Sequence, residues 1–106
     1  MINSVNILGT EYQIKEDSGI IKSNADGLCK EYEKEISVRP VENMLMEEDD
    51  IQTKKLRHNE VMRHEIIHAF FSEAGLDDFS NNELLVNWIA IQFPKILKSF
   101  EEVGAL

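Results

Sequence analysis

The chain has few of the residues that mark secreted, membrane or nucleic-acid-binding proteins. Its 106 residues include one cysteine, Cys29, which cannot form an internal disulfide, so we expect a reducing, cytoplasmic environment. No apolar run approaches the length that spans a bilayer, and MINSVNILGTEY lacks the basic region of a signal peptide. The net charge of −9 argues against nucleic-acid binding, because phosphate recognition needs a basic surface. We therefore expect neither a membrane nor a nucleic acid as a partner.

Proline and glycine are also sparse, and they do not cluster into a linker. The sequence has two prolines and five glycines, with no repeat and no low-complexity tract. A composition that is 42% hydrophobic and 29% charged is that of a globular protein. We expect residues 1–106 to form a single domain.

The first 40 residues predict strands. Apolar side chains occupy odd-numbered positions before Gly9-Thr10 and even-numbered positions after it. A bulge or bend at Gly9-Thr10 would accommodate this change. Residues 27–32 and 35–40 can pair as a hairpin, and Pro40 suits a position at a sheet edge. The alternating pairs are Val5 with Ile7 and Tyr12 with Ile14, and in the hairpin Ile36 and Val38 would face inward.

From about Asp50 the pattern becomes helical. The segment up to Gly75 has no proline, and glycine is a favoured residue just past a helix end. A second helix is predicted from near Ser80, with a kink or break at Pro94 before a third segment, KILKSFEEV. The sequence thus predicts an α+β fold, a small antiparallel sheet followed by two to three helices.

The first of these helices contains HEIIH at residues 64 to 68, an HExxH pattern. Residues four apart lie on one face of a helix, so His64 and His68 can present two imidazole nitrogens to one metal ion. Glu65 lies beside them, where a carboxylate can take a proton from water and later deliver it to a leaving amine. This pattern predicts a Zn²⁺ site with Glu65 as the catalytic residue.

A polar stripe on an amphipathic helix is the simpler interpretation of the same residues. Apolar neighbours, among them Val61 and Ile67, argue against it, because buried imidazoles need partners and a shared metal serves both. The third histidine, His58, lies among basic residues and is predicted to be at the surface. Cys29 has no CxxC partner and is predicted to be a small core or strand residue.

Catalytic zinc takes three protein ligands, and the third is open on spacing alone. Glu73 lies on the same helix and would point away from the ion, whereas Asp77 and Asp78 lie in the following turn. Glu83 opens the next helix, which could fold back over the histidines. Glu83 also fits a helix cap, with Ser80 as N-cap and Glu83 three residues later, unless Asp78 caps instead.

The segment HEIIHAFF is followed by a helix that opens with Asn-Glu, the glutamate lying fifteen residues after His68. This combination resembles the minimal gluzincin peptidases of phages and prophages, which are related to the ImmA/IrrE metallopeptidases. Their third ligand is a glutamate in a motif E-x-x-(A/V)-x-x-(F/I)-A, matched here by Glu83, Val86, Ile89 and Ala90. Asn82-Glu83 also resembles the NExxxD of thermolysin-type enzymes, with Asn87 where the aspartate would be. An asparagine there can orient a histidine but adds no charge.

The resemblance implies a zincin-like fold in which the HExxH helix and the next helix enclose the metal. It also implies a substrate-binding edge strand at residues 35–40 and a protein or peptide substrate, such as a phage or mobile-element regulator. We therefore predict a zinc-dependent metallopeptidase, a hydrolase of peptide bonds. The alternative is a non-catalytic zinc-containing module that docks to a host or phage protein.

Overall fold

The computed structural model describes residues 3–16, 20, 23–47 and 50–106, and within them the fold is α+β. Four strands form one sheet: β1 (Ser4–Ile7), β2 (Thr10–Lys15), β3 (Gly27–Lys30) and β4 (Glu35–Val38). Three helices follow: α1 (Ile51–Glu73), α2 (Asp77–Ser80) and α3 (Glu83–Glu102). A short 3-10 helix, Val41–Asn43, links the sheet to the helices.

The predicted strand segments are confirmed. β1 and β2 form a hairpin through Leu8 and Gly9, both of which have positive φ, so a tight reversal replaces the predicted bulge at Gly9-Thr10. β3 and β4 form the second hairpin, as residues 27–32 and 35–40 predicted. Ile36 and Val38 are buried, as predicted, and so are Ile7, Tyr12 and Ile14 of the alternating pairs, with Val5 packed against them.

The sheet is mixed, so the prediction of an antiparallel sheet was wrong. The strand order is β1-β2-β4-β3, and β2 pairs with β4 in parallel, with Ile14 opposite Ile36. Residues 35–38 therefore form an inner strand with a neighbour on each side. Ile36, Ser37 and Val38 are all buried, as expected for such a strand. The substrate-binding edge implied at residues 35–40 is likewise incorrect, because the strand at that edge is β3.

The long helix α1 begins and ends close to where its sequence predicts. The carboxylate of Asp50 accepts hydrogen bonds from the backbone amides of Gln52 and Thr53, and Gly75 follows the last turn with φ of +74°. Its buried side chains recur three and four residues apart: His58, Val61, Glu65 and Ala69. This stripe packs on the sheet and sets the rotation of the whole helix.

The last turn of α1 is joined to the sheet by a polar cluster around Glu73. Its carboxylate accepts hydrogen bonds from the hydroxyl of Tyr12 at 2.7 Å, from Nζ of Lys34 at 2.7 Å and from Oγ1 of Thr10 at 3.2 Å. These hydrogen bonds hold the pKa of Glu73 below its usual range, Lys34 contributing most. The cluster fixes α1 relative to β2 and the β3–β4 turn.

Helix α3 runs without interruption through Pro94, contrary to the predicted kink or break that would start a third segment. Proline has no amide hydrogen for the carbonyl four residues earlier, which is that of Ala90. Here Nε of Arg63, on α1, donates to this carbonyl oxygen at 2.6 Å. No helix within the described ranges is long and apolar enough to span a bilayer.

Candidate metal centre

The rotation of α1 places the HEIIH residues between the sheet and α3. Glu65 belongs to the buried stripe and is 7% exposed. His64 and His68 lie on the adjacent face, half-buried, and their Nε2 atoms are 3.1 Å apart. Because the two residues are one turn apart, both rings reach the same point above the helix.

Glu83, the first residue of α3, reaches the same point from the opposite side. Its Oε2 is 3.1 Å from Nε2 of His64, and its Oε1 is 3.0 Å from Nε2 of His68. The potential ligand atoms of these three residues all lie within 4.8 Å of one another. In the described part of the chain, no other group of histidine, cysteine or acidic side chains lies together in this way.

Both histidines have a further polar contact that orients the ring. Nδ1 of His68 is 3.1 Å from Oγ of Ser80, and this hydroxyl donates to the backbone oxygen of His68 at 3.4 Å. Ser80 therefore accepts the Nδ1 hydrogen, which leaves the lone pair of His68 on Nε2. The side chain of Asn87, the residue predicted to contact a histidine, lies near enough to His64 to act on its pKa as a hydrogen-bond partner.

The contact between Ser80 and His68 was not predicted from the sequence, because Ser80 was considered only as a helix cap. In the structure Asn82 caps α3, its side chain accepting from the amide of Leu85 at 3.1 Å. Neither Ser80 nor Asp78 caps α3, and both lie in the separate one-turn helix α2. Ser80 is only 3% exposed, and an N-cap at Asn82 makes Glu83 the first helical residue rather than the third.

Burial controls the protonation of two of the site residues. It raises the pKa of Glu65 to about 7, and the negative charge of Glu83 adds to the effect. Burial, and then the neighbouring His68, hold the pKa of His64 below its usual range, although Glu83 and Asn87 act in the opposite direction. His64 is therefore neutral near pH 7 and retains a lone pair.

The other residues considered as ligands lie elsewhere. Glu73 is held by the sheet, as described above, and Asp77 and Asp78 are exposed in the first turn of α2. Cys29 lies on β3, as predicted for a strand residue, and burial raises its pKa to about 12, so its thiol stays protonated. His58 is buried rather than at the surface, with Nε2 3.4 Å from a carboxylate oxygen of Glu16.

The donor set fits a divalent cation. Two imidazole nitrogens and a carboxylate lie at hydrogen-bond distance from one another, and lone pairs in such an arrangement repel unless a proton or cation lies between them. Because its pKa is lowered, His64 is neutral and carries a single ring hydrogen, which can serve at most one of these contacts, whereas a cation can serve all three. Two ligands of a tetrahedral zinc ion are about 3.3–3.4 Å apart, which follows from Zn–N distances of about 2.0–2.1 Å. The separations of 3.0–3.1 Å found here are close to that value.

The three residues lie in a cleft of about 510 Å³ between β3 and the helices. One wall is β3, and the other is the face of α1 from Arg57 to His68. The approach of β3 to α1 requires a glycine, because a Cβ on Gly27 would lie 2.6 Å from Cγ1 of Val61 and 3.0 Å from Oε2 of Glu65. The edge strand thus lies directly against the buried carboxylate.

Comparisons of the chain with protein-family models, curated proteins and solved structures gave no match. The site must therefore be interpreted from its own residues and geometry.

Proposed function

We propose that the protein is a zinc-dependent metallopeptidase that hydrolyses peptide bonds of a protein substrate. The observation that carries this proposal is the convergence of His64, His68 and Glu83 beside the buried carboxylate of Glu65. Two histidines and one glutamate are a ligand set of catalytic zinc, which keeps its fourth position open. A zinc site that only stabilises the fold needs no general base, the role that Glu65 could fill.

His64, His68 and Glu83 would hold the metal. Zinc at this position would act as a Lewis acid and polarise the scissile carbonyl and water. The contacts of Ser80 and Asn87 would keep the two imidazole rings aimed at the ion. Glu83 would supply a negative charge at the start of α3, where the helix N-terminus carries partial positive charge.

Glu65 would act as general base and then as general acid. With a pKa of about 7 it can accept a proton from water and return it to the amine leaving group near neutral pH. Its Oε2 lies 4.0 Å from Nε2 of His64, so it is adjacent to the ligand group without belonging to it. Burial against β3 keeps this carboxylate in one place, which catalysis by proton transfer requires.

A protein substrate would bind along β3. Among the residues that the structure describes, this strand pairs with β4 on one side only and forms a wall of the cleft, so its other side would be available to an extended peptide. β3 thus takes the substrate-binding role that the sequence had implied for residues 35–40. A peptide added to this edge would place its backbone carbonyls beside Glu65 and the proposed zinc site.

The resemblance to the phage and prophage relatives of ImmA/IrrE supports a zincin-like arrangement of α1 and α3. It depends on residues 61–90, where HEIIHAFF and the run from Glu83 to Ala90 match. By this resemblance the substrate would be a regulator of a phage or mobile element. A panel of such repressors is therefore the first set of substrates to test.

The decisive experiment combines metal analysis with proteolysis. We expect about one zinc per chain, hydrolysis that chelation abolishes, and recovery on adding zinc. The variant Glu65→Gln should retain zinc and lose hydrolysis, since an amide cannot accept the proton of water. Glu60→Gln, a half-buried carboxylate of the same cleft wall, is the matched control and should remain active.

Full activity of Glu65→Gln would show that another group is the base, and loss of zinc would show that Glu65 is a ligand. A parent protein that binds zinc and cleaves none of the repressors would favour the non-catalytic docking module. A preparation that takes up no zinc would remove the basis of both interpretations.

A further inference from the structure

The side of α1 and α3 away from the sheet carries a second, apolar groove of about 440 Å³. We define its apolar face by six residues. Ile66 and Phe70 lie on α1 and Ile89 and Phe93 on α3, and Leu97 and Phe100 continue the stripe along α3. At 100° per residue, Leu97 and Phe100 lie within about 40° of Phe93. The groove and the second half of α3 thus form one continuous surface.

This face remains exposed although its side chains are large. Phe70, Phe93 and Phe100 are 41%, 46% and 43% exposed, and Leu97 is 36% exposed. The buried residues of α3 are Val86 and Ala90, both in its first half. The second half packs against little within the described residues, and a single helix of that length is marginally stable in water. Such a helix gains stability when another surface covers its apolar stripe.

The available area matches what a homodimer needs. A fully exposed aromatic side chain has an accessible surface of roughly 200 Å². Phe70, Phe93 and Phe100, each nearly half exposed, therefore offer about 250 Å² of apolar surface together. The aliphatic members of the face raise the apolar area to roughly 400–500 Å² per chain. A standard interface buries about 800 Å² per partner, of which about 65% is apolar in homodimers, or roughly 500 Å².

The distribution of charge on α3 permits a second copy as the occupant. The net charge of −9 means that two chains repel unless the contacting face is free of acidic groups. Lys95, Lys98 and Glu102 lie on the opposite side of α3 by helical spacing, and Glu101 lies at the edge of the apolar face, one turn beyond Leu97. The six residues of the face itself are uncharged. Arg63, the one charged residue lining the groove, donates from Nε to the carbonyl oxygen of Ala90.

We propose that this apolar face is a homodimer interface, in which the second half of α3 from each chain lies in the groove of the other. One chain supplies both the groove and a helix with a matching stripe, so a two-fold axis satisfies both copies at once. The interface lies on α1 and α3 away from the cleft, and it does not depend on the metal or on catalysis.

Sedimentation velocity and light scattering on the 106-residue chain test the proposal. Over roughly 1–100 µM the parent should show twice its 12.2 kDa mass. Leu97→Glu should weaken association by about 100-fold or more, because a charge would be buried in an apolar contact. Ser99→Glu adds the same side chain and charge on another side of α3 and should leave the dimer intact.

A parent that stays monomeric over this range overturns the proposal, and so does a Leu97→Glu variant that dimerises as tightly as the parent. Loss of the dimer in both variants would indicate a general charge effect and would also overturn it. Far-UV circular dichroism checks that Leu97→Glu is folded. If it is not, Phe100→Ser takes its place with the same expected result.

Discussion

Replacing Glu83 by glutamine removes one charge from the proposed metal site and nothing from the fold. The side chain of Glu83 is 62% exposed, and within the described residues its polar contacts are those with the two histidines. An exposed substitution of this kind changes the stability of the metal-free protein by no more than about 0.5 kcal/mol. Any larger effect must therefore come from the metal.

The expected magnitude follows from linkage. Loss of a residue behind a ligand costs about 10–100-fold in metal affinity, so loss of a charged ligand should cost at least about 100-fold. With free zinc at about 100 times the parent Kd, binding adds about 2.7 kcal/mol to the parent and about 0.4 kcal/mol to such a variant. For a domain of this size the difference of about 2.3 kcal/mol corresponds to roughly 9–18 °C in Tm.

The assay is thermal unfolding of the parent and Glu83→Gln, each with chelator and with buffered zinc. The curves should coincide in chelator and separate in zinc. Asp78→Asn is the matched control, an exposed carboxylate on the neighbouring helix α2, and it should follow the parent under both conditions. Equal zinc stabilisation of the parent and Glu83→Gln, or loss of stabilisation in Asp78→Asn, would refute the ligand assignment.

Three further changes test the surroundings of the site. Gly27→Ala should lower the free energy of unfolding by about 1–3 kcal/mol in a denaturant titration, because the new Cβ would lie 2.6 Å from Val61, and unchanged stability would contradict this packing. Ser80→Ala should weaken zinc affinity by about 10–100-fold, measured in competition with a chelator, because the contact to His68 is lost. An affinity equal to that of the parent would show that this contact does not contribute to zinc binding. The pKa of Glu73 is lowered by folding, so its stabilising contribution should be fully present above the unfolded pKa, near 4.5, and be lost as pH falls through the lower folded value. Glu73→Gln should therefore flatten the acid limb of a stability–pH profile, and an unchanged limb would count against the cluster.

The elements predicted correctly are those whose signals are local in sequence. Asp50 and Gly75 mark the ends of α1, and alternation of apolar residues marks the strands. Alternation is the same whether a strand pairs in parallel or antiparallel, so it could not reveal that β2 lies beside β4. The burial of three consecutive residues in β4 arises from that placement.

Two of the errors concern side chains whose surroundings come from distant parts of the chain. His58 has basic neighbours in sequence, but helical rotation puts the nearest of them, Lys55 and Arg57, on other faces and leaves His58 in line with Val61 and Glu65. Pro94 would be expected to end a helix, yet Arg63, which lies 31 residues earlier, satisfies the carbonyl that the proline leaves without its usual donor. Local sequence contains no sign of either arrangement.

The segment from Ser80 to Glu83 shows why the candidate site could be predicted only in part. From the sequence, Glu83 could be either part of a helix cap or a metal ligand. The two roles compete, because a capping box that starts at Ser80 would use the Glu83 carboxylate. In the structure three residues divide these roles: Asn82 accepts the amide hydrogen bond of the cap, Ser80 contacts His68, and Glu83 faces both histidines. The one-turn helix α2 makes this division, because it ends at Ser80 and lets α3 begin independently at Glu83. Capping therefore does not compete with the proposed metal binding, and lengthening or shortening the turn at Asn81 would move Glu83 away from the histidines without removing any proposed ligand.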